Sequence, residues 1–231
     1  MQGRIVVVTG GFGVLGRAVA AGASARGAQA VRIDVAPGPG GPPPAGPDRC
    51  FDIGGVDLTE AASAAGAVRT VVERFGGVDV LVNVAGGFVW QTLEDGGPET
   101  WARMYGLNVA TAVTMTKAAL PHLLQRPGAR IINIGAGAAA RAAAGMGAYA
   151  AAKSGVARLT ESLAEEMKGR DITVNAVLPS IIDTPANRAD MPGADPSDWV
   201  KPEQLAEVIL FLASPAGRAI TGALIPVTRG A

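Results

Sequence analysis

Short runs of apolar, largely β-branched residues alternate with longer helix-like stretches along almost the whole chain, and nothing else in the sequence limits its fold so sharply. Residues 5–8, 30–33, 78–82, 130–134, 172–177 and 223–227 are the strand candidates, and 15–25, 60–75, 98–125, 149–167 and 202–213 carry the helical patterns. Strands that read as continuous apolar runs, each followed by a helix, predict a parallel sheet buried on both faces. Right-handed crossovers make such a sheet doubly wound. A length of 231 residues suits one α/β domain spanning 1–231.

The first strand runs into Thr9-Gly10-Gly11-Phe12-Gly13-Val14-Leu15-Gly16, and the first helix follows. Glycines at 10, 13 and 16 allow a tight turn, close approach to a pyrophosphate and close helix–sheet packing, while the helix N-terminus offers N–H groups to phosphates. A glycine triplet alone is a weak signal; its place between strand and helix makes it a Rossmann-type dinucleotide site. Phe12, Val14 and Leu15 belong to that turn. Asp34 ends the second strand, where a carboxylate can accept from both adenosine ribose hydroxyls. A 2′-phosphate beside it would cost roughly 1 kcal/mol in water and about 4 at an effective dielectric of ~20. NAD(H) is therefore expected over NADP(H), with Arg17 and Arg32 near enough in sequence to soften the preference and leave NADP(H) possible.

Composition excludes several classes. The formal net charge is zero, so no electrostatic footprint for nucleic acid or an anionic membrane is expected. The apolar run after Met1-Gln2-Gly3-Arg4 is too short for a secretory core, and no stretch is long and apolar enough to span a bilayer. A single cysteine, Cys50, suits a reducing cytoplasm. Without a Cys/His cluster no metal site is expected, and His122, the only histidine, reads as a solvated or core-edge residue. Two segments interrupt the pattern. Residues 36–47 are nearly all Pro, Gly and Ala and read as a solvated, polyproline-like loop. Residues 183–200 form a long irregular segment placed where a substrate lid would lie.

The remaining motifs carry a resemblance. Asp57-Leu58-Thr59-Glu60, Asn83-Val84-Ala85-Gly86, Asn108, Tyr149-Ala-Ala-Ala-Lys153 and Asn175-Ala-Val-Leu-Pro179, together with the glycine turn, stand in the order and spacing of the short-chain dehydrogenase/reductase family. The chain resembles that family over essentially its whole length. The resemblance implies that Asp57 and Leu58 hold the adenine edge and that Asn83, Ala85, Gly86 and Pro179 line the cofactor. It implies that Ile182 and Thr184 anchor the carboxamide, that Lys153 also binds the nicotinamide ribose, and that Asn108 helps hold a proton-relaying water. It further implies a homodimer or homotetramer packed through helices 106–124 and 149–168. Tyr149 and Lys153, four apart, share a helix face. A tyrosine near pKa 10 is a poor acid/base at neutral pH, and a nearby ammonium is expected to lower that value.

One position departs from the family. The serine it usually carries thirteen residues before the tyrosine is Ala136 here, which has no donor for a substrate oxygen. The serine-less segment, Val84–Phe88 and the run from Ala176 through Asp183-Thr-Pro185, Asn187-Arg188, Met191-Pro192 and Trp199 resemble the quinonoid dihydropteridine reductase branch, which works with tyrosine and lysine alone. Phe88, Trp90, Ala136, Met146, Asn187 and Trp199 are the candidate pocket walls for a small-molecule substrate. Three functions stand open: a carbonyl or imine oxidoreductase, a dihydropterin reductase, and a dinucleotide-binding sensor or scaffold without catalysis.

Overall fold

The computed structural model describes residues 1–38 and 50–228. The reading of residues 36–47 as a polyproline-like loop falls mostly outside them. Seven strands form one sheet: β1 (Ile5–Thr9), β2 (Gln29–Ile33), β3 (Cys50–Ile53), β4 (Val80–Asn83), β5 (Ala129–Ile134), β6 (Ile172–Pro179) and β7 (Leu224–Val227). Their order is β3-β2-β1-β4-β5-β6-β7, and every pairing is parallel. The expected doubly wound, single-domain α/β fold is the fold observed.

Helices α1 (Val14–Ala25) and α7 (Pro202–Ala213) cover one face, where Val6, Val8, Val80, Val82 and Ile132 meet Val19, Leu205 and Ile209. Helices α2 (Ala61–Phe75), α4 (Thr111–Leu123) and α5 (Gly147–Glu166) cover the other, where Val7, Leu81 and Ile131 meet Val68, Met115 and Leu163. The alternation of neighbours along one strand follows from the two-residue side-chain period, and it explains why these strands are apolar throughout.

Three expectations are corrected. β3 was not foreseen. Its four residues, Cys-Phe-Asp-Ile, are all half-buried at the sheet edge, and a bidentate Arg32–Asp52 pair at 2.7 Å helps fix it to β2. The helical run expected over 98–125 is present to Leu123 but is not uniform: α3 (Pro98–Tyr105) passes, with helical backbone angles throughout, through a π-helical turn at Gly106–Ala110 into α4. Residues 183–200 are not irregular. Thr184 caps the short helix α6 (Pro185–Asp190) by accepting from the Asn187 N–H at 3.1 Å, and a parallel bridge between Ile182 and Val200 closes the excursion at its base.

The chain reverses its winding between β1 and β4, so the crevice at their carboxyl ends is the place where this architecture binds ligands. Gly10 makes that crevice narrow. Its φ is +60°, and a Cβ there would stand 2.9 Å from the backbone nitrogen of Ala85. Gly10→Ala is therefore expected to destabilise the fold by more than ~1 kcal/mol, read as a lower urea midpoint with an unchanged slope.

Candidate active site

Thr9, the last residue of β1, is buried, and its Oγ1 accepts from the N–H groups of both Val84 and Ala85 at 3.1 Å. That double contact pins the chain leaving β4 against the glycine turn. On the other side of the turn, Asp34 Oδ2 accepts from the Phe12 N–H at 2.9 Å and Oδ1 from the Ala36 N–H at 3.0 Å. Gly13 starts α1 without a side-chain cap, and a Cβ on Gly16 would lie 2.2 Å from the Gly10 carbonyl oxygen. An uncapped helix end beneath a turn that only glycine can occupy is a cradle for phosphate, and the residues present fit a dinucleotide. Arg32 is engaged by Asp52, whereas Arg17 lies exposed on α1.

Lys153 is 6% exposed, and its Nζ donates to the Ile134 carbonyl at the end of β5, 2.8 Å away. The same nitrogen lies 5.8 Å from the centre of the Tyr149 ring. Tyr149 and Lys153 thus stand together at the carboxyl edge of the sheet, as their spacing predicts. The expected direction of the tyrosine shift is not observed. Burial pushes Tyr149 up to about 12, and burial also pushes Lys153 down to about 8, because each group's charged form is desolvated. In the folded chain desolvation outweighs any help the ammonium gives the phenolate.

Asn108 lies in the π-helical turn. Its Nδ2 donates to the carbonyls of Gly87 and Met104 at 3.0 Å, and its Oδ1 accepts from the Gly87 N–H at 3.3 Å. The amide is thus occupied as a strap on the loop after β4. A Cβ on Gly86 would meet Asn108 Oδ1 at 2.6 Å and Lys153 Nζ at 3.6 Å, so only glycine passes between the two. The extra residue of a π turn re-aims side chains, and such turns gather at functional sites.

Asn83 turns away from the crevice. Its Nδ2 donates to Thr116 Oγ1 at 3.0 Å and to Asn133 Oδ1 at 2.8 Å, and Asn133 continues to Thr160 at 2.9 Å. This buried chain crosses the helical layer under β4 and β5, so any approach of a cofactor to position 83 is through its backbone. Sequence reasoning gave no structural role to the Thr9 side chain or to Asn133; the only signal was a polar residue at or near the end of an apolar strand.

Asp57 is exposed, and hydrogen bonds from the Thr59 hydroxyl and N–H at 2.7 and 2.9 Å hold its carboxyl below the usual range. Leu58 is buried in the core. Asn187 is occupied inside the 183–200 excursion, its Nδ2 donating to the Ile182 carbonyl at 2.7 Å. Trp199 is 6% exposed and anchors that excursion where it rejoins the body, not an open pocket wall. Ala136 is buried just beyond β5 and Pro179 ends β6. Phe88 contacts Tyr149 edge-on, with ring centres 4.9 Å apart, and Trp90 lies against Gly145 next to Met146. Among the described residues no helix is long and apolar enough to cross a membrane.

A dinucleotide cradle at the switch point, with a tyrosine and a buried lysine beside it, defines a nucleotide-dependent oxidoreductase of the Rossmann class. The family model for short chain dehydrogenases matches residues 4–194. The chain belongs to the short-chain dehydrogenase/reductase family, whose members are oxidoreductases, typically NAD(P)-dependent. It is 32% identical over 248 residues to a 3-oxoacyl-acyl-carrier-protein reductase of Vibrio cholerae, covering 100% of this chain and 98% of that protein. It is 30% identical over 254 residues to D-beta-hydroxybutyrate dehydrogenase of Cupriavidus necator, covering 97% and 96%. A solved short-chain dehydrogenase/reductase of Brucella melitensis, described as a glucose/ribitol dehydrogenase, superposes with a TM-score of 0.88 at 29% identity, over 100% of this chain and 97% of that one. These relatives carry the family and leave the narrower dihydropteridine reductase likeness without support.

The buried ammonium has a consequence for stability. Between pH 8 and 10.5 the unfolded chain holds the Lys153 proton more tightly than the folded one, so stability rises with pH across that window. Lys153→Met should unfold at a higher temperature than the parent near pH 7, by an amount equivalent to roughly 3 kcal/mol at most. The advantage should shrink as pH approaches 10, which calorimetry at several pH values would measure.

Proposed function

We propose that this chain is an NAD(H)-dependent oxidoreductase acting on a small carbonyl/alcohol or imine-like substrate, with Tyr149 as its acid/base. The observation that carries the reading is the Tyr149–Lys153 pair beside the crevice. One Lys153 donor is tied to Ile134 and two are left to face the dinucleotide. When bound, the nicotinamide supplies or accepts the hydride. Tyr149 gives its phenolic proton to the substrate oxygen or nitrogen in reduction and takes it back in oxidation. Lys153 holds the ribose hydroxyls and steadies the phenolate by its charge. Asn108 keeps Gly86 and Gly87 in place, and Ile182 and Thr184 serve the carboxamide. Asp57 and Leu58 border the adenine. Residues 183–200 act as the lid, hinged where Ile182 bridges Val200.

Asp34 favours NAD(H), because its carboxylate stands where a 2′-phosphate would go and Arg32 is engaged by Asp52. A homodimer or homotetramer using α4 and α5, in the cytoplasm, completes the proposal; the family is typically oligomeric. Ala136 leaves the substrate oxygen without the family's usual hydroxyl, so the phenol bears the polarisation alone.

Tyr149→Phe should lower kcat by about 10²–10⁴ with the NADH Kd little changed, in a stopped-flow and fluorescence-titration pair. In the parent, oxidation of an alcohol should rise with pH from 6 to 8, while Lys153 keeps its proton, because it needs the phenolate of a tyrosine pushed up to about 12. Carbonyl reduction, which needs the phenol, should not rise; a rise in both directions would remove Tyr149 from the role. NADH should bind roughly ten to several hundred times tighter than NADPH, and Asp34→Ala should close most of that gap.

A further inference from the structure

We infer that the substrate of this site is a neutral molecule with a flat aromatic or conjugated face, and that Trp90 and Phe88 are the specificity-determining residues that hold it. The inference rests on the catalytic reading above, since it takes Tyr149 as the reacting end of the pocket. Phe88 stands edge-on to Tyr149 at 4.9 Å yet remains 49% exposed, so its outer surface is free for another ring. Two residues on, Trp90 is 60% exposed. It is held by its inner side: a Cβ on Gly145 would lie 2.3 Å from the indole, and the Gln91 N–H donates to the Gly145 carbonyl at 2.8 Å. Gly145 has a φ of +72°, a conformation a bulkier residue would resist, so the loop before Tyr149 makes room for that indole.

A cavity of about 290 Å³ lies between residues 91–101 and 143–148, and Gly145, which meets the Trp90 indole, is part of its lining. Leu93, at 78% exposure, and Trp101 continue the apolar lining there. None of the residues lining the cavity is charged. The charges within residues 91–101, Glu94, Asp95 and Glu99, are acidic, and the exposed Arg103 and Arg141 flank the two lining segments. Arg188, the cation on the opposite excursion, is taken bidentately by Asp183 at 2.6 and 2.9 Å. A carboxylate, a phosphate or an acidic carrier protein would thus meet three acidic neighbours and, among the described residues, no buried counter-charge in the cavity lining, only the exposed Arg103 and Arg141 at its flanks. Large aromatic surfaces exposed beside a catalytic group are an expense in solubility that a flat ligand would remove.

The test sets methyl naphthyl ketone against acetoacetate with saturating NADH. The ketone should show at least about tenfold higher kcat/KM, and Trp90→Ala should raise its KM roughly five- to tenfold while Trp90→Phe does not, with the NADH Kd constant in both. Binding is read separately as tryptophan quenching by the ketone in NADH-loaded Tyr149→Phe, which binds without turnover. Quenching there, with a ketone Kd by calorimetry that weakens roughly five- to tenfold in the Tyr149→Phe/Trp90→Ala pair, supports the aromatic platform even when the parent turns over nothing, an outcome that sinks only the catalytic reading. Preference for acetoacetate that disappears in Arg141→Ala, or no quenching by the ketone, overturns the platform.

Discussion

A lysine ammonium sealed to 6% exposure, with a backbone carbonyl as its hydrogen-bond partner, is held at a cost that the rest of the chain must offset. The offset is geometric. Ile134 ends β5, a strand buried along its whole length, and α5 is fixed over it by Leu163 and the Thr160–Asn133 contact. The ammonium is thereby delivered to one point at the sheet edge with two donors unspent, and burial moves its pKa to about 8. A site that strips water from both partners of an acid/base pair leaves each nearer its neutral form. It is then the dinucleotide and substrate, with their hydroxyls and developing charge, that complete the solvation the protein withholds.

The crevice in front of that pair depends on close backbone contacts made by small residues. Gly10 against Ala85, Gly16 against Gly10 and Gly86 between Asn108 and Lys153 each occupy space a methyl group would fill. Thr9 supplies the acceptor that two consecutive N–H groups of the β4 loop need. The polar chain Thr116–Asn83–Asn133–Thr160 ties β4 and β5 to α4 and α5 directly below. Three devices thus set the same dimension, the separation of the glycine turn from the Lys153 side chain, and a dinucleotide must span that separation.

Much of this was legible in the residues. The six apolar runs reported their own strands because a doubly covered parallel sheet buries both sides of each one, and the glycine turn reported a tight backbone approach because a Cβ on Gly10 or Gly16 would meet backbone atoms. β3 was silent, since Cys-Phe-Asp-Ile at the sheet edge is half-buried and neither alternates nor runs apolar. The π turn at residues 106–110 was silent too, because an extra residue in a helical turn leaves no composition mark. Asn83 was assigned to the crevice from its motif, yet which face a strand-end side chain takes is set by register, and register paired it with Asn133. The directions of the Tyr149 and Lys153 shifts were beyond reach, because desolvation is a property of what packs around a group and not of its neighbours in sequence.

The alanine at 136 gains meaning in this setting. Under the proposed function, a serine hydroxyl there would share the developing charge of a substrate oxygen; without it, the field at that oxygen would come from one phenol backed by one buried cation. Such a site favours substrates whose own conjugation spreads the charge, since a delocalised anion asks less of its surroundings than a localised alkoxide. The exposed face of Phe88 against the same tyrosine ring, with Trp90 exposed two residues on, suits the same molecules for an unrelated reason, dispersion and ring stacking. Under the proposed function, two independent features, a missing donor and exposed aromatic faces, thus converge on one kind of chemistry.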